Sequence, residues 1–405
     1  MTTNQSVFRL VDKCNRCLGT LSAFGWAIVL STTLCCLSFP QKPISAETKS
    51  SDENEEMFEY KQDGVGICIT GIKKPVSELS IPSRIKGRPV IRIGDSAFAE
   101  ASFIKSVTIP KTVRIIDDRA FWLCKGLRSV NIPNSVSEIR SEAFEGCQSL
   151  DSVIIPNSVT DLGSEAFMGC TSLKNIELSN SLEEISNNLF AGCSSLETVR
   201  IPDSVTKIED HAFSGCTSLT NIEIPDSVQE IEPYGVFSDC TSLQSVKIPD
   251  SIKVLGEVFK NCTSLTNVEI PDSIEAILGS FKGCTSLTSI DIPDSVVALC
   301  GSFVGCTSLV DVKIPSQVAE MHHTFMSCTS LTSVEIPDSL SEIGVDTFYG
   351  CTSLTKVVIP GSVINIDDDA FDETPSLTTI YGIPNSAAER LARERNIDFV
   401  EIKDH

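Results

Sequence analysis

Four residues in the second half of the chain carry side chains that can do chemistry. Cys300 and His322 each stand three residues before a repeated phenylalanine, and His323 and Asp346 each stand two residues before one. A thiol beside an imidazole can form a nucleophile–base pair, and thiol, imidazole and carboxylate are all zinc ligands. Because offsets of three and two residues alternate between the faces of an extended chain, the four side chains are expected not to converge. A metal-binding or enzymatic site in this Cys300/His322 zone stays open as one alternative.

Motifs that would support an enzyme are missing elsewhere in the sequence. There is no glycine-rich phosphate loop, HExxH pair or nucleophile elbow. Cys14 and Cys17 form a lone CxxC without the second pair that a zinc site needs. The recurring Asp-Ser turns lack the glycine-rich, multi-carboxylate spacing of calcium repeats. We therefore predict no enzyme, no catalytic or metal-binding residue and no cofactor.

The cysteines are regularly spaced. The chain has 17 of them. Eleven occupy one position of a repeat: Cys124, Cys147, Cys170, Cys193, Cys216, Cys240, Cys262, Cys284, Cys306, Cys328 and Cys351. Equivalent residues of stacked repeats lie about 4.8 Å apart with parallel side chains, which does not give the dihedral angle of a disulfide. The spacing predicts a buried column of small apolar thiols rather than a framework of disulfides.

The repeat itself is marked by Ile-Pro and by phenylalanine. Proline follows isoleucine at steps of 23 residues in the first half and of 22 from Pro249 to Pro337. Phenylalanine recurs once per repeat from Phe98 to Phe371. A fixed period of this length indicates a solenoid, and a ring in every repeat indicates a stacked core. We predict a repeat solenoid, leucine-rich-repeat-like, of mainly short β-strands and turns, with about 13 rungs of 22–24 residues capped at both ends.

These repeats resemble a known family. The elements are L-x-x-I-x-I-P, V-x-x-I and A-F-x-x-C-x-S-L, as in the stretch from Leu196 to Leu219. They resemble the BspA-like class of leucine-rich repeat over residues 58–402. The resemblance implies a secreted or surface protein, of a kind found in bacteria and some protists, that adheres to host proteins or to other cells. The predicted organisation is 1–46 signal peptide or membrane anchor, 47–57 acidic flexible tether, 58–97 N-terminal cap and first atypical repeat, 98–380 repeats, and 381–405 C-terminal capping unit.

The N-terminal segment is typical of export. Arg9, Lys13 and Arg16 precede a run from Leu18 to Phe39 without a charge. The run can span a bilayer, but it is diluted by glycine, serine and threonine, and Ala46 offers a small residue for cleavage. Cleavage near Ala46 and retention of 18–39 as an anchor both stay open. Either one predicts a secreted or cell-surface location.

The residue before each Ile-Pro should point outward from its strand. Down the array these positions are Glu177, Arg200, Glu223, Lys247, Glu269, Asp291, Lys313 and Glu335. We call these eight residues the charged strip. Because the signs mostly alternate, neighbours could pair across about 4.8 Å and fix the stacking register. The alternative is a surface that binds a partner protein.

The composition limits the classes of molecule that the protein is expected to bind. The net charge is -22 and no lysine or arginine run occurs, which argues against nucleic acid. We predict an exported or cell-surface protein that mediates protein–protein interaction, with adhesion as its role. It is expected to be monomeric, and to meet membrane only through its N-terminal segment if that segment is not cleaved. An intracellular interaction scaffold is an alternative, because columnar thiols suit a reducing compartment. A purely structural surface component is another.

Overall fold

The computed structural model describes residues 56–403. The predicted signal or anchor (1–46) and all but the end of the predicted tether (47–57) lie outside the described residues. Residues 57–405 form one compact unit, and its hydrophobic cluster runs from Phe58 to Ala392. A unit with its own core can fold by itself. Within residues 56–403, no helix has both the length and the apolar character that crossing a membrane requires.

The chain winds into a β-solenoid of about 15 turns built mostly from short strands, which confirms the predicted architecture. The prediction of about 13 rungs counted phenylalanines, and thirteen of them do stack. The turns at the two ends contribute no ring to this column, so a count of stacked phenylalanines falls short of the number of turns.

Most repeats contribute a first strand, which ends near Ile-Pro and lies parallel to its equivalents in adjacent repeats. The repeats that carry Glu223, Asp291 and Lys313 have no strand assigned at this position. These strands form the first-strand row: β3 (Glu78–Ser80), β6 (Ser106–Thr108), β8 (Ser129–Asn131), β10 (Ser152–Ile154), β12 (Asn175–Glu177), β14 (Thr198–Val199), β17 (Ser245–Lys247), β19 (Asn267–Glu269), β22 (Ser333–Glu335), β24 (Lys356–Ile359), β26 (Thr379–Gly382) and β27 (Asp398–Glu401).

A second strand follows the turn after proline and forms a second parallel row. Its members are β2 (Gly66–Ile72), β5 (Arg88–Ile93), β7 (Ile115–Ile116), β9 (Glu138–Ile139), β11 (Asp161–Leu162), β13 (Glu184–Ile185), β15 (Lys207–Ile208), β16 (Glu230–Ile231), β18 (Val254–Leu255), β20 (Ala276–Leu278), β21 (Ala298–Cys300), β23 (Glu342–Ile343) and β25 (Asn365–Ile366).

Both ends of the array differ from its middle. At the N-terminal end, β1 (Phe58–Asp63) pairs antiparallel with β2, and β4 (Arg84–Ile85) pairs antiparallel with β5. At the C-terminal end, helix α1 (Ala387–Arg395) packs beside β26 and β27. Its N-cap residue is Ser386, whose hydroxyl makes no capping bond, while the Glu389 carboxylate accepts the Asn385 N–H at 2.6 Å.

Sequence explains how one repeat folds. Leu219, Ile222 and Ile224 point inward from the extended segment before the proline, and all three are buried. Pro225 has no N–H to continue the strand ladder. Its carbonyl instead accepts the Val228 N–H at 3.0 Å, which closes a tight turn into the second strand. The same Pro-to-Val or Pro-to-Ile bond recurs along the array.

Phenylalanine forms the centre of the core. The thirteen rings from Phe98 to Phe371 stack in one column, with centroids of successive rings 5.1–6.1 Å apart and interplanar angles of 5–25°. Every ring in the column is buried. This arrangement confirms that the recurring phenylalanine is a packing residue rather than part of a ligand site.

We call the segment around each phenylalanine, such as residues 119–124, the arc. Almost all of the N–H groups by which an arc bonds to another repeat donate to the repeat that follows it. Arg119, Phe121 and Leu123 donate their backbone N–H groups to carbonyls of the following repeat at 2.8–3.0 Å. Arg119 and Leu123 have positive φ angles of 54° and 53°. These left-handed residues help to turn every second N–H of the arc toward the following repeat, while the N–H groups between them bond within the arc, as Trp122 does to the Arg119 carbonyl. Equivalent bonds recur in the other arcs.

The cysteine column lies beside the arcs. The eleven cysteines of the column are buried and form no disulfide, as the stacking argument predicted. The prediction of purely apolar thiols was incomplete. Each of the eleven column thiols donates to the carbonyl of the phenylalanine in the preceding repeat, with Sγ–O distances of 3.0–3.3 Å. Cysteine is therefore both a small packing residue and a weak donor.

Two of the 22-residue repeats bring a side-chain hydroxyl to the carbonyl near the end of a second strand. In 23-residue repeats such a carbonyl, for example that of Ile208, accepts an N–H of the next repeat, here Glu232 at 2.9 Å. In the shorter repeats the Leu299 carbonyl accepts the hydroxyl of Thr324, and the Ile277 carbonyl accepts that of Ser302 at 2.6 Å. Serine or threonine thus takes the position before phenylalanine where longer repeats have alanine. The buried Leu299 carbonyl keeps a partner as a result.

Candidate functional site

The charged strip lies on the outer side of the first-strand row, and all eight of its residues are exposed. Its position follows from the strand pattern. The preceding isoleucine or valine points into the core, so the next residue points to solvent. The backbone ladder brings neighbours together, for example Lys247 beside Glu269.

The side chains of adjacent strip residues do not pair in the described structure. Arg200 instead forms an ion pair with Asp203 of its own repeat at 3.0 Å. Lys313 lies 4.0 Å from Asp294 of the preceding repeat. Within residues 56–403 no ion pair joins two members of the strip. Stacking therefore leaves these opposite charges facing solvent.

A groove coincides with the middle of the strip. It has a volume of about 770 Å³ and is lined by Arg200, Glu223, Lys247 and Glu269, with hydrogen-bonding groups such as Asn221 between them. The lining offers both signs of charge and several neutral donors and acceptors. Such a surface suits the backbone and charged side chains of another protein better than a compact apolar molecule.

The second-strand row uses its charges differently. Asp117, which is only 8% exposed, accepts hydrogen bonds from Arg92 of the preceding repeat at 3.0 Å. It also pairs with Arg140 of the next repeat at 2.9 Å. Arg92 also pairs with Asp63 of the first hairpin, and Arg140 also pairs with Glu138 of its own repeat. Farther along, Lys207 meets Glu232 of the next repeat at 2.7 Å. Here the charges join repeats to one another.

The four residues with reactive side chains are placed as follows. His323 Nδ1 lies 3.4 Å from an Asp346 carboxylate oxygen, as adjacent stacking predicts. Cys300 is 1% exposed at the end of β21. A Cβ built on Gly344 would lie 1.9 Å from His322 Nδ1, so this glycine leaves room for the imidazole. Among the described residues, no three metal-binding groups come together in this zone.

The sequence reasoning missed a cluster on the arcs of the early repeats. Glu142, Glu145 and Glu165 are the one group of three in residues 56–403 whose oxygens lie close enough for a metal. Hydrogen bonds from Arg119 at 2.7–2.8 Å lower the pKa of Glu142. Burial raises the pKa of Glu145, although Trp122 Nε1 donates to it at 2.9 Å. Protein donors therefore already hold two of the three carboxylates.

The sequence analysis also missed an apolar patch on the C-terminal end of the first-strand row. The position that is charged in the strip becomes Val358, Tyr381 and Val400 in the last three strands, and these residues are direct ladder neighbours. A groove of about 1140 Å³ lies over this end and includes Ile383 and Ile402 in its lining. The sequence did contain a signal for this patch, because the motif position that is charged in the strip becomes apolar or aromatic in the last three strands.

Comparison with known proteins gives this geometry a context. A family model described as a BspA type leucine rich repeat region matches residues 91–219, 183–299 and 278–389. No curated protein matches the chain. A leucine-rich repeat protein from Bacteroides ovatus is 30% identical with a TM-score of 0.72, over 86% of this chain and 98% of its own. A leucine rich cell surface protein from Faecalibacterium prausnitzii is 30% identical with a TM-score of 0.59, over 83% and 95%.

A third solved structure is more distant. The pneumococcal vaccine antigen PcpA is 16% identical with a TM-score of 0.56, over 86% of this chain and 98% of its own, which relates the two by fold alone. The family model and the 30% identical structures cover most of the chain. The chain belongs to the BspA-type leucine-rich repeat family.

Proposed function

We propose that this chain is an exported, cell-surface leucine-rich repeat protein that binds a partner protein across the first-strand row and thereby mediates adhesion. The charged strip, from Glu177 to Glu335, is its contact surface. Residues 1–46 act in export or anchoring, residues 47–57 form a tether, and residues 58–97 and 381–405 close the two ends of the array.

The observation that carries this proposal is the contrast in ion pairing between the two rows. The second-strand row joins repeats through charges such as Arg92, Asp117 and Arg140. The first-strand row places alternating charges at the same spacing and leaves neighbours such as Arg200 and Glu223 unpaired with each other. Charges that do not hold the fold together are available to steer and orient a partner.

Shape and relatives support the same role. The groove along the strip continues the surface over several repeats, which suits binding through many contacts. Tyr381 and its apolar neighbours could anchor a partner at one end, since aromatic residues dominate the energetics of protein interfaces. A relative from Faecalibacterium prausnitzii is described as a cell surface protein, which supports a surface location here.

The free cysteines do not favour the intracellular alternative. The column thiols are buried, and burial raises their pKa, to about 12 for Cys193. The thiolate is the form that is oxidised, so these thiols are protected wherever the protein resides. A thiol column is therefore compatible with an oxidising compartment.

The first test concerns location. The mature N-terminus of the native protein is determined and protease accessibility is measured on intact cells. A new end near Glu47, or an intact 1–46 on membrane-bound protein, together with cleavage by external protease, is the expected result. Complete protection in a soluble cytosolic fraction would contradict export and favour the intracellular scaffold.

The second test concerns the strip. Fragment 47–405 is screened against a panel of purified extracellular-matrix and cell-surface proteins. The variant Arg200→Glu/Lys247→Glu should weaken the partner's binding at least tenfold, mainly through a slower association rate. The matched control is Lys73→Glu/Lys253→Glu, which makes the same charge change at exposed lysines outside the strip. Equal binding by all three proteins would place the contact elsewhere.

A further inference from the structure

The overall acidity of the chain conceals an opposite charge at one end. Residues 57–140 contain 14 lysines and arginines against 8 aspartates and glutamates, a net charge of +6. Residues 141–403 contain 13 against 39, a net charge of -26. Because the solenoid stacks its repeats in sequence order, these two stretches are separate parts of the molecule. The first repeats are therefore basic.

Several of these cations surround one sheet, formed by strands β3, β6 and β8. Lys105 and Arg128 directly precede β6 and β8, and the Arg128 N–H donates to the Lys105 carbonyl at 2.8 Å. Lys111 and Arg114 follow β6 at its other end. We call this sheet and its four flanking cations the basic face.

All four cations of the basic face are exposed. None of them forms an ion pair within the described residues, where the ion pairs of this region involve Arg92, Arg119 and Arg140. Lys105 donates to the Ser102 carbonyl at 3.4 Å and Arg114 to the Ser135 carbonyl at 3.3 Å, which orients the chains without neutralising them. An uncompensated basic surface attracts anions.

The centre of the basic face is polar and nearly uncharged. Thr108, Ser129 and Asn131 are exposed there, and Thr108 and Asn131 are ladder neighbours. Hydroxyl and amide side chains both donate and accept hydrogen bonds, as sugar hydroxyls do. Glu78, at the start of β3, is the one acid on these strands.

We propose that the basic face binds a linear anionic polysaccharide that crosses the solenoid axis, with Lys105 and Arg128 contacting its acidic groups at one edge and Lys111 and Arg114 at the other. The two edges are six residues apart, or roughly 20 Å in extended chain. The hydroxyl and amide groups between them meet the sugar rings.

The charge pattern selects a linear polymer over a membrane. The next repeats place Asp151, Ile154 and Glu177 at the positions equivalent to Arg128 and Asn131. A flat anionic surface laid along the row would meet these acidic repeats, whereas a chain crossing the axis meets the cations alone. The terminal strand β1 exposes both Glu59 and Lys61, so an end-on approach is not basic either.

The face also differs from a surface for single-stranded nucleic acid. Such surfaces stack successive bases on several aromatic side chains. Next to the basic face one exposed ring is present, Phe103. Tyr60 carries the Lys86 ammonium 5.7 Å above its ring, and Trp122 is bonded to Glu145. Sugar rings therefore fit the polar centre better than nucleobases do.

The test uses fragment 57–405, which is the compact unit, with heparin as the sulfated probe, hyaluronan as the carboxylated probe and uncharged dextran. Isothermal titration at about 50 mM salt should show binding to heparin or hyaluronan and none to dextran. The variant Lys105→Gln/Lys111→Gln/Arg114→Gln/Arg128→Gln should weaken binding at least tenfold, and added salt should weaken the native complex.

The matched control, Lys174→Gln/Lys253→Gln/Lys356→Gln/Lys403→Gln, removes the same charge from exposed lysines outside the basic face and should bind as the native fragment does. Equal loss in both variants would overturn the assignment to this face. No heparin or hyaluronan binding, or equally tight binding to a DNA duplex or to anionic vesicles, would overturn the polysaccharide. None of the residues changed in either variant lies in the charged strip, so failure here leaves the protein-binding proposal to its own test.

Discussion

The interior columns and the charged strip run along the same repeats but follow opposite rules. In the interior, phenylalanine occupies one position thirteen times and cysteine another eleven times. Each such residue is held between two equivalents, so a change in one repeat disturbs its neighbours. In the strip, successive repeats present glutamate, arginine, glutamate and lysine, and no neighbour depends on the choice. The interior therefore specifies the fold, and the outside is free to specify a partner.

The largest expected effect comes from ionising the thiol column. Burial raises the pKa of Cys193 and Cys240 to about 12, whereas an unfolded thiol titrates near about 8.5. The folded chain then holds more protons than the unfolded chain above that pH, so the free energy of unfolding falls as pH rises, by up to about 1.4 kcal/mol per thiol and pH unit. Circular dichroism under reducing conditions should show steep alkaline unfolding above pH of about 9.

A variant sharpens this test. Replacing Cys193, Cys216 and Cys240 by alanine should make the alkaline transition less steep, because three titrating groups are removed. A transition that stays unchanged in slope, or a fold that is stable to pH of about 12, would show that the thiols do not control it.

Removing Asp117 should have the next largest effect. Asp117→Ala leaves Arg92 and Arg140 without their shared partner, which should lower the free energy of unfolding by about 2–3 kcal/mol. Urea unfolding measures the change, and hydrogen exchange of the Ile93 and Ile116 amides should locate it. Asp203→Ala, which breaks an exposed pair with Arg200, is the control and should cost about 0.5 kcal/mol or less. Equal losses would remove the distinction between the two rows.

The hydroxyl of the short repeats gives an intermediate effect. Thr324→Val leaves the buried Leu299 carbonyl without its hydroxyl donor and should cost about 1–2 kcal/mol in urea unfolding. The reciprocal change Ala212→Ser in a 23-residue repeat adds a buried hydroxyl where a backbone N–H already bonds the equivalent carbonyl. It should destabilise as well. A stabilising or neutral Thr324→Val would contradict the exchange of donors between repeat lengths.

The smallest effect on stability is expected for the strip itself. Arg200→Ala/Lys247→Ala removes two exposed cations that pair with no strip neighbour, so the free energy of unfolding, measured in urea, should stay within about 0.5 kcal/mol of the native value. A loss comparable to that of Asp117→Ala would show that the strip fixes the register of stacking. The strip would then help to specify the fold, as the interior columns do.

The solenoid and its column of phenylalanine rings could be predicted from the repeat length. When a phenylalanine recurs every 22–24 residues, stacking of the repeats buries every ring. The hydroxyl bond from Thr324 to the Leu299 carbonyl could not be predicted, because it depends on which carbonyl loses an N–H when a residue is deleted. The Asp117 network and the basic face arise when residues 22–23 positions apart become neighbours. A search for runs of charge along the chain overlooks both.

The one-way hydrogen bonds of the arcs have an electrical consequence. Peptide dipoles that point the same way add up, as they do in an α-helix, and give partial charges to the two ends of the array. Since arc N–H groups point toward the C-terminal end, that end gains positive character. The last arc is flanked there by Asp367, Asp368, Asp369, Asp372 and Glu373, while the basic repeats occupy the opposite end. The side-chain charges at each end are therefore opposite in sign to the partial charge that the backbone gives to that end. Removing these side-chain charges should lower the stability of both ends.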